Sequence, residues 1–506
     1  MEIAKSKQIR AIDSFAEREL MQSTLSLMGR SGEAVSAAVR TLVSPGSTVI
    51  ILAGVGNNGG DGYAAGCKLS AEYKIRLYDL FSAGQRSDAG RAWRDKYIAL
   101  GGELLCGPPD IQAIEMADCI VDAVFGTGFS GELSDELSAL VSLINSLRAK
   151  VVAVDIPMGV CADTGEVDDF ALSADITVAL SYPKVAHYSY PARDVLGKVL
   201  VDGIGIDKSR VRENFSFSDF VLDDVSAAEL LPKRKKDGNK GTFGRALLLV
   251  GSREYTGSAH LSLEAALRGG AGYVSFIGTD ELCDGALLKF PEAIYERLDY
   301  KERDSAVRLS KLSAKCTAML IGSGCGVSKE LFLVVSGLIR TEGAPLVLDA
   351  DSINSIARYG DASVLDGAMR TVILTPHPME FSRISGLDPT YVQSHRYTVA
   401  QNFAKAHNCI LVLKGAGTII TDGERTYINS VGTTALAKAG SGDVLSGLLT
   451  SLLSSSGDPL SLSALAVYVH ARAGDILSAE LSDFGVTPSD LPQTCAKVIA
   501  ELSKKI

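Results

Sequence analysis

No Cys-x-x-Cys pair occurs in this chain, and its nine cysteines, scattered from Cys67 to Cys495, do not cluster with histidine. Neither a structural zinc site nor a disulfide framework is therefore indicated, and a reducing cytoplasm is the expected compartment. Basic residues are in deficit. A net charge of −10 argues against a general nucleic-acid binder, because phosphate backbones are held by basic faces. No apolar run is long enough to span a bilayer, so no membrane partner is expected. The first twenty residues carry Glu2, Asp13, Glu17 and Glu19 without an apolar stretch, and no secretory signal is expected there. Gly-x-x-x-x-Gly-Lys-[Ser/Thr] is absent, which leaves a P-loop ATPase unsupported, and no fixed-period repeat is visible. What is present is ordinary globular protein, 46% hydrophobic and 22% charged, whose 506 residues exceed what one core organises. Two domains are expected.

Apolar, β-branched runs recur at 48–53, 74–80, 119–124, 150–156 and 174–180, separated by helix-like or glycine-rich stretches. A second series occupies 246–250, 272–277, 318–321, 346–348, 372–374 and 410–413. Such alternation predicts buried parallel strands joined by right-handed helical crossovers, a doubly wound α/β sheet in each half. Between the series lie the polar stretch 211–218, the acidic Asp223-Asp224 and the basic run Lys233 to Lys236. The boundary is placed there, with domains over 1–215 and 220–506. The basic run reads as a solvated linker face, with phosphate binding as the alternative.

In the first half, Gly54-Val55-Gly56-Asn57-Asn58-Gly59-Gly60-Asp61-Gly62 follows a predicted strand and precedes a helix expected from about Tyr63. Formally it holds Gly-x-Gly-x-x-Gly, with Asp79 placed like the ribose-binding acid of a dinucleotide fingerprint, so a nicotinamide-dependent oxidoreductase is one reading. The polar Asn57, Asn58 and Asp61 favour another, a cation or ligand site built from side-chain oxygens. Asp122 and Asp155 end two further predicted strands, where ligands of open α/β sheets bind, although a strand-end Asp also forms turns and caps. Together, the Gly56 to Gly62 loop, Asp122 to Gly128 and Asp155-Ile156-Pro157 resemble the YjeF N-terminal domain, the epimerase of hydrated nicotinamide nucleotides. The resemblance covers most of 1–210 and implies a Rossmann-like fold. It implies that Asn58 and Asp122 hold a potassium ion, with a third ligand at position 158. It also implies that Asn57, Asn58, Gly59, Gly60 and Asp61, with Gly126, Thr127, Gly128, Phe129, Ser130, Gly131 and Glu132, bind the nucleotide, and that Asp155 contacts substrate as acid/base. The family usually has Ser where this chain has Met158, and a thioether is a poor ligand for a hard cation.

In the second half, Asp443 follows the small residues Ala439-Gly440-Ser441-Gly442 and opens a helix patterned by Val444, Leu445, Leu448, Leu449, Leu452 and Leu453. Free N–H groups at a helix start attract phosphate, glycine permits close approach, and an Asp there accepts a hydroxyl proton; as plain structure it is a cap or dipole partner. Two more predicted strand ends carry Pro376-His377-Pro378-Met379-Glu380-Phe381 and Lys414-Gly415-Ala416-Gly417-Thr418. Glu380 is suited to orienting a metal or its water and Lys414 to meeting a phosphate, whereas His377 also suits a turn cap and Lys414 a solvated cation. Asp349 and Asp351 offer a magnesium or water contact, or a helix cap at Asp351.

The order of these motifs resembles the ribokinase-like superfamily, an α/β/α sandwich. Within it, Lys240 to Gly244, Gly251-Ser252, Asp349 to Asn354, His377 to Glu380, Lys414 to Thr418 and Gly440 to Val444 look like the ADP-dependent NAD(P)H-hydrate dehydratases. Asn239 and Met379 stand where that family usually has His and Gly. By resemblance, Gly326, Pro376, His377, Pro378, Met379, Glu380 and Phe381 bind the hydrated dinucleotide. ADP falls to Lys414, Gly415, Ala416, Gly417 and Thr418 and to Thr433, Thr434, Ala435, Leu436, Ala437, Lys438, Ala439, Gly440, Ser441 and Gly442, while Asp443 contacts the substrate hydroxyl. The function implied is bifunctional repair of NADHX and NADPHX, by epimerisation and by ADP-dependent dehydration with Mg2+ and K+, in a cytoplasmic homo-oligomer. The rival is a ribokinase-like vitamin-precursor kinase with a noncatalytic nucleotide-binding first domain.

Overall fold

A computed structural model describes residues 1–81, 86–302 and 305–505. The polypeptide divides into two compact units, Glu2–Asp219 and Phe220–Ile506.

In the first unit the strands are β1 (Thr48–Ala53), β2 (Lys74–Asp79), β3 (Leu104–Cys106), β4 (Cys119–Ala123), β5 (Lys150–Val154), β6 (Ile176–Leu180) and β7 (Lys198–Asp202). They pair in parallel in the order β3-β2-β1-β4-β5-β6-β7. The order reverses between β1 and β4, so the loops after those strands diverge and open a crevice at their carboxyl ends. Val49, Ile51 and Ala53 face one apolar layer and Ile50 and Leu52 the other, the period-two alternation of a sheet covered on both faces. Each of the valine, isoleucine and leucine side chains among them, once buried, contributes about 1.5–3 kcal/mol. Two helices of this unit concern the crevice: α1 (Ser6–Glu19) and α2 (Asn57–Leu69). α2 begins at Asn57, six residues before the expected Tyr63, so the glycine-rich motif is a helix's first turn. Packing overrides its poor helix propensity. A Cβ on Gly59 would stand 1.9 Å from the Gly54 carbonyl oxygen, and only glycine lets the turn lie on the end of β1.

The second unit contains β8 (Arg245–Leu249), β9 (Tyr273–Gly278), β10 (Ile294–Arg297), β11 (Ala318–Ile321), β12 (Leu346–Leu348), β13 (Val372–Leu374), β14 (Ile410–Leu413), β15 (Ile419–Thr421) and β16 (Thr426–Ile428). Their order is β16-β15-β14-β13-β12-β11-β8-β9-β10. The run from β14 to β10 is parallel, and β15 and β16 extend it as an antiparallel hairpin. Helices α3 (Thr256–Arg268), α4 (Asp351–Tyr359), α5 (Pro378–Ser385), α6 (Ser441–Leu453) and α7 (Pro459–Gly485) bear on the site. Val444, Leu445, Leu448, Leu449 and Leu452 of α6 lie in one core with Leu248 of β8 and Leu320 of β11. The start of α6 is thereby fixed over the sheet. Lys233 to Lys236 are exposed; Arg234 stacks 3.8 Å over the Phe243 ring and donates to the Gly270 carbonyl at 2.6 Å.

Candidate functional site

The first unit has a cavity of about 410 Å3 at the carboxyl ends of its strands, walled by Asn57, Asn58 and Asp61 of α2, by Phe125 to Phe129, by Asp13 of α1 and by Asp155, Ser181 and Lys184. Gly59 and Gly60 are packed beneath it, and Ser130, Gly131 and Glu132 are exposed. Asn58 Nδ2 donates to the Phe125 carbonyl at 2.6 Å, tying the α2 turn to the loop after β4. That loop is anchored on its other side by Ser6 Oγ, which donates to the Thr127 carbonyl at 2.6 Å.

Asp155 directly follows β5 and adopts a left-handed φ of 65°. Its Oδ1 accepts from the Leu180 N–H at 3.1 Å and from the Lys184 ammonium, which also donates to the Leu180 carbonyl at 2.8 Å. Only 1% of Lys184 is exposed, so the pair lies in a low-dielectric setting. His187 locks the arrangement. Its Nδ1 accepts from the Lys184 N–H at 2.8 Å, which leaves Nε2 as the donor to the Asp155 carbonyl, also at 2.8 Å. Burial and the Lys184 charge push the imidazole down to about 4, so it stays neutral. Burial pushes Asp13 up to about 6 and holds Asp61 well above the usual carboxylate range. The motif analysis passed over Lys184, His187, Asp13 and Ser181; for Lys184 the available signal was a cation inside the apolar stretch 182–186.

Asp122 is fully buried and does not line the cavity. Its oxygens accept from the Met158 N–H at 2.7 Å and the Val124 N–H at 3.1 Å, yet burial pushes the carboxyl up to about 7. Two N–H donors thus oppose the burial without cancelling it, and the carboxyl stays above the usual carboxylate range. Position 158 contributes differently than expected. The Met158 side chain lies in the apolar cluster with Ile50, Leu52 and Leu172, and its carbonyl accepts from the Leu172 N–H at 2.9 Å, so the thioether is no ligand. The oxidoreductase fingerprint also loses its acid: Asp79, 2% exposed, pairs with Arg86 and with Arg94 at 3.8 Å.

In the second unit the expected motifs converge. Lys414 Nζ lies 3.1 Å from Asp349 Oδ1, and Asp349 also accepts from Thr375 Oγ at 2.7 Å and Ser323 Oγ at 2.8 Å. A Cβ on Gly442 would stand 3.4 Å from the same ammonium, which puts the α6 N-terminus beside it. Burial opposes the Lys414 charge, but Asp349, Glu380 and Asp443 hold it above the usual lysine range. Asp443 is pushed up to about 6 by burial, with Asp349 adding to the rise and Ser258 and Lys414 opposing it. Its carbonyl accepts from Ser262 Oγ at 3.1 Å and Ser446 Oγ at 3.0 Å, fixing the first turn of α6. Gly440, at φ 103°, holds the left-handed turn into that helix, and a Cβ there would meet Leu261 at 2.7 Å.

The substrate-loop residues divide. Glu380 is buried and its Oε2 accepts from the His377 N–H at 2.9 Å, while His377 Nδ1 accepts from the Met379 N–H at 3.1 Å, a reciprocal cap on α5. His377 and Met379 are exposed, Pro378 is half-buried, and Phe381 is buried against Phe403. The Pro376 carbonyl accepts from the Lys414 N–H at 2.9 Å. Asp351 is not the cap of α4, a position taken by Ala350; its Oδ2 accepts from the Gly326 N–H at 2.8 Å and holds that loop. Among the nucleotide-segment residues, Gly415 and Ala416 are exposed, Gly417 is half-buried, and Thr418 Oγ donates to the Gly415 carbonyl at 2.8 Å. The buried Arg396 braces the turn from below through the Leu413 carbonyl at 3.2 Å and the Lys414 carbonyl at 3.1 Å. Thr433 Oγ accepts from the Ala435 N–H at 3.3 Å, and Ala437 and Ala439 are exposed. Leu436 packs against the core, and Ser441 Oγ lies 3.3 Å from His470 Nε2. The Lys438 ammonium donates to the Phe484 carbonyl at 2.7 Å and to that of Val486, while Thr434 Oγ donates to Asp483. Among the described residues no three His, Cys, Asp or Glu side chains form a metal cage, and no helix is long and apolar enough to cross a membrane.

Residues 24–186 match the family model described as YjeF-related protein N-terminus, and 246–497 the model described as NAD(P)H-hydrate dehydratase. The bifunctional NAD(P)H-hydrate repair enzyme Nnr of Moorella thermoacetica is 31% identical over 100% of this chain and 98% of its own length. Its counterpart from Escherichia coli is 29% identical over 94% of this chain and 89% of that protein. A crystal structure of the ADP/ATP-dependent NAD(P)H-hydrate dehydratase of Bacillus subtilis, co-crystallised with ATP and Mg2+, superposes with a TM-score of 0.50 at 28% identity, over 55% of this chain and 97% of that one. With both of its units matched in order by full-length relatives, this chain belongs to the family of bifunctional NAD(P)H-hydrate repair enzymes.

Proposed function

We propose that the second unit dehydrates S-NADHX and S-NADPHX at the expense of ADP, and that the first unit interconverts the R and S epimers. The observation that carries this reading is the placement of Asp443: half-buried at the start of α6, beside the Lys414 ammonium, and raised to about 6. A carboxyl so poised is a competent base near neutral pH. Asp443 takes the proton of the ring hydroxyl as its oxygen attacks the terminal phosphorus of ADP; the bond to the bridging oxygen breaks and AMP departs. N–H groups at the α6 N-terminus and Lys414 meet the charge on the transferred group. The lone pair of the ring nitrogen then expels orthophosphate, a better leaving group than hydroxide, and the adjacent ring carbon gives up a proton to the departing phosphate, which restores the reduced nicotinamide. Bound with the nucleotide phosphates, Mg2+ would neutralise part of their charge.

In the first unit, Asp155 is the acid/base group at the substrate's carbinol, held by Lys184, and Asn57, Asn58, Asp61 and Gly126 to Phe129 receive the nucleotide. K+ would be held by Asn58 and Asp122, where it offsets buried negative charge. The assembly is a homo-oligomer in the cytoplasm, without nucleic acid or membrane as partner. Incubating mixed NADHX epimers with ADP and Mg2+ tests the whole reading. Complete return of NADH with AMP and orthophosphate is expected. A reaction that stalls near half conversion removes the epimerase, and a stable phosphoester product would make the second unit a kinase instead.

A further inference from the structure

One buried polar group in the first crevice has no counterpart in the protein. Ser181 is 2% exposed and lines the cavity, and its hydroxyl has no hydrogen-bond partner among the described residues. A buried hydroxyl left unpaired is a cost that native proteins rarely carry without a ligand to relieve it. The backbone beneath it is costly too. Ser181 follows β6 with φ 65°, the same left-handed value that Asp155 adopts after β5. Non-glycine residues hold that conformation only where their surroundings dictate it. Here they do: the Ser181 N–H donates to the Asp202 carbonyl at 2.8 Å, and the preceding Leu180 gives its N–H to Asp155 and its carbonyl to Lys184. Two neighbouring strand ends thus spend conformational energy to set Asp155 and Ser181, the latter with its hydroxyl unpaired, among the residues that line the same cavity.

We infer that Ser181 is an unassigned substrate-positioning residue of the epimerase, and that its O–H donates to the ring hydroxyl of the hydrated nicotinamide while Asp155 accepts from that hydroxyl. An alcohol gives and takes hydrogen bonds at a single atom, so the ring hydroxyl satisfies Ser181 and Asp155 at once. The assignment rests on the epimerase reading above.

The test uses the full chain with ADP and Mg2+, following NADH release from each pure epimer after subtraction of spontaneous epimerisation. Release from the S epimer needs only the second unit, whereas release from the R epimer also needs the first. Ser181→Ala and Ser181→Gly are each expected to lower kcat/KM for the R epimer about tenfold, to leave the S epimer unchanged, and to melt no lower than the parent protein, because each removes an unpaired hydroxyl. Unchanged turnover of the R epimer in both variants overturns the assignment and spares the epimerase. Loss of R turnover together with a lower melting temperature in both variants overturns it as well, by making Ser181 a packing residue. A parent protein that clears S but not R removes the epimerase reading and this inference with it.

Discussion

Both crevices contain a buried lysine–aspartate pair, but the pair stands in a different relation to the acid that acts. In the first unit Lys184 grips Asp155 itself, the carboxylate we propose meets substrate, and neutral His187 fixes both partners. In the second, Lys414 grips Asp349, and Asp443 stands beside the pair with no cation of its own, raised by burial and by the Asp349 charge. The difference matches the two tasks. A group that passes a proton to and from one hydroxyl in place gains from a rigid setting, whereas a base that strips an alcohol gains from a raised pKa.

The largest expected effect falls on the unpaired acid. Asp443→Asn should lower NADH formation from the S epimer about a thousandfold, roughly 4 kcal/mol, while epimer interconversion followed by chromatography is unaffected. Next comes the first pair. Lys184→Met strands Asp155 as a buried charge and should cost about 3 kcal/mol, read as an earlier denaturant midpoint for the first unit; an unchanged midpoint would mean that the pair contributes nothing to stability. The third prediction probes coupling in the second crevice. Because Asp443 must be deprotonated to act, kcat/KM should rise with pH through about 6. Asp349→Asn removes a negative neighbour and frees Lys414, both of which favour the charged form, so this acidic limb should move down by about one pH unit. A limb that stays or moves up would break the comparison. Smallest is the cation effect: replacing choline by potassium at equal ionic strength should raise the melting temperature by about 3 °C, and Asp122→Asn should abolish the difference.

Much of the fold was legible because buried parallel strands announce themselves as apolar runs, and β1 spans the expected 48–53. The strands that escaped are short or sit at sheet edges. β3 has three residues, β7 mixes Lys198 and Asp202 with apolar residues, and the β15–β16 hairpin has three residues on each side. Their neighbours in the sheet, not their own pattern, make them strands. The start of α2 was misplaced for a related reason: glycines argue against helix locally, and the close approach at Gly59 that demands them is a tertiary contact. In the site, Lys414 was visible at the end of a predicted strand and Asp443 behind small residues at the mouth of a patterned helix. Lys184 and His187 were not, because each is an isolated polar residue whose meaning comes from contact with Asp155, some thirty residues earlier. Ser181 was invisible for the opposite reason: it is defined by a bond the protein itself leaves unmade.

The anchoring of Thr434 on Asp483 and of Lys438 on the carbonyls of Phe484 and Val486 bears on thermodynamics. These ties are made within the protein itself, so the segment before α6, which we propose meets the nucleotide, needs no freezing on binding. Calorimetry of ADP binding should accordingly register little of the unfavourable entropy that accompanies the capture of a floppy loop.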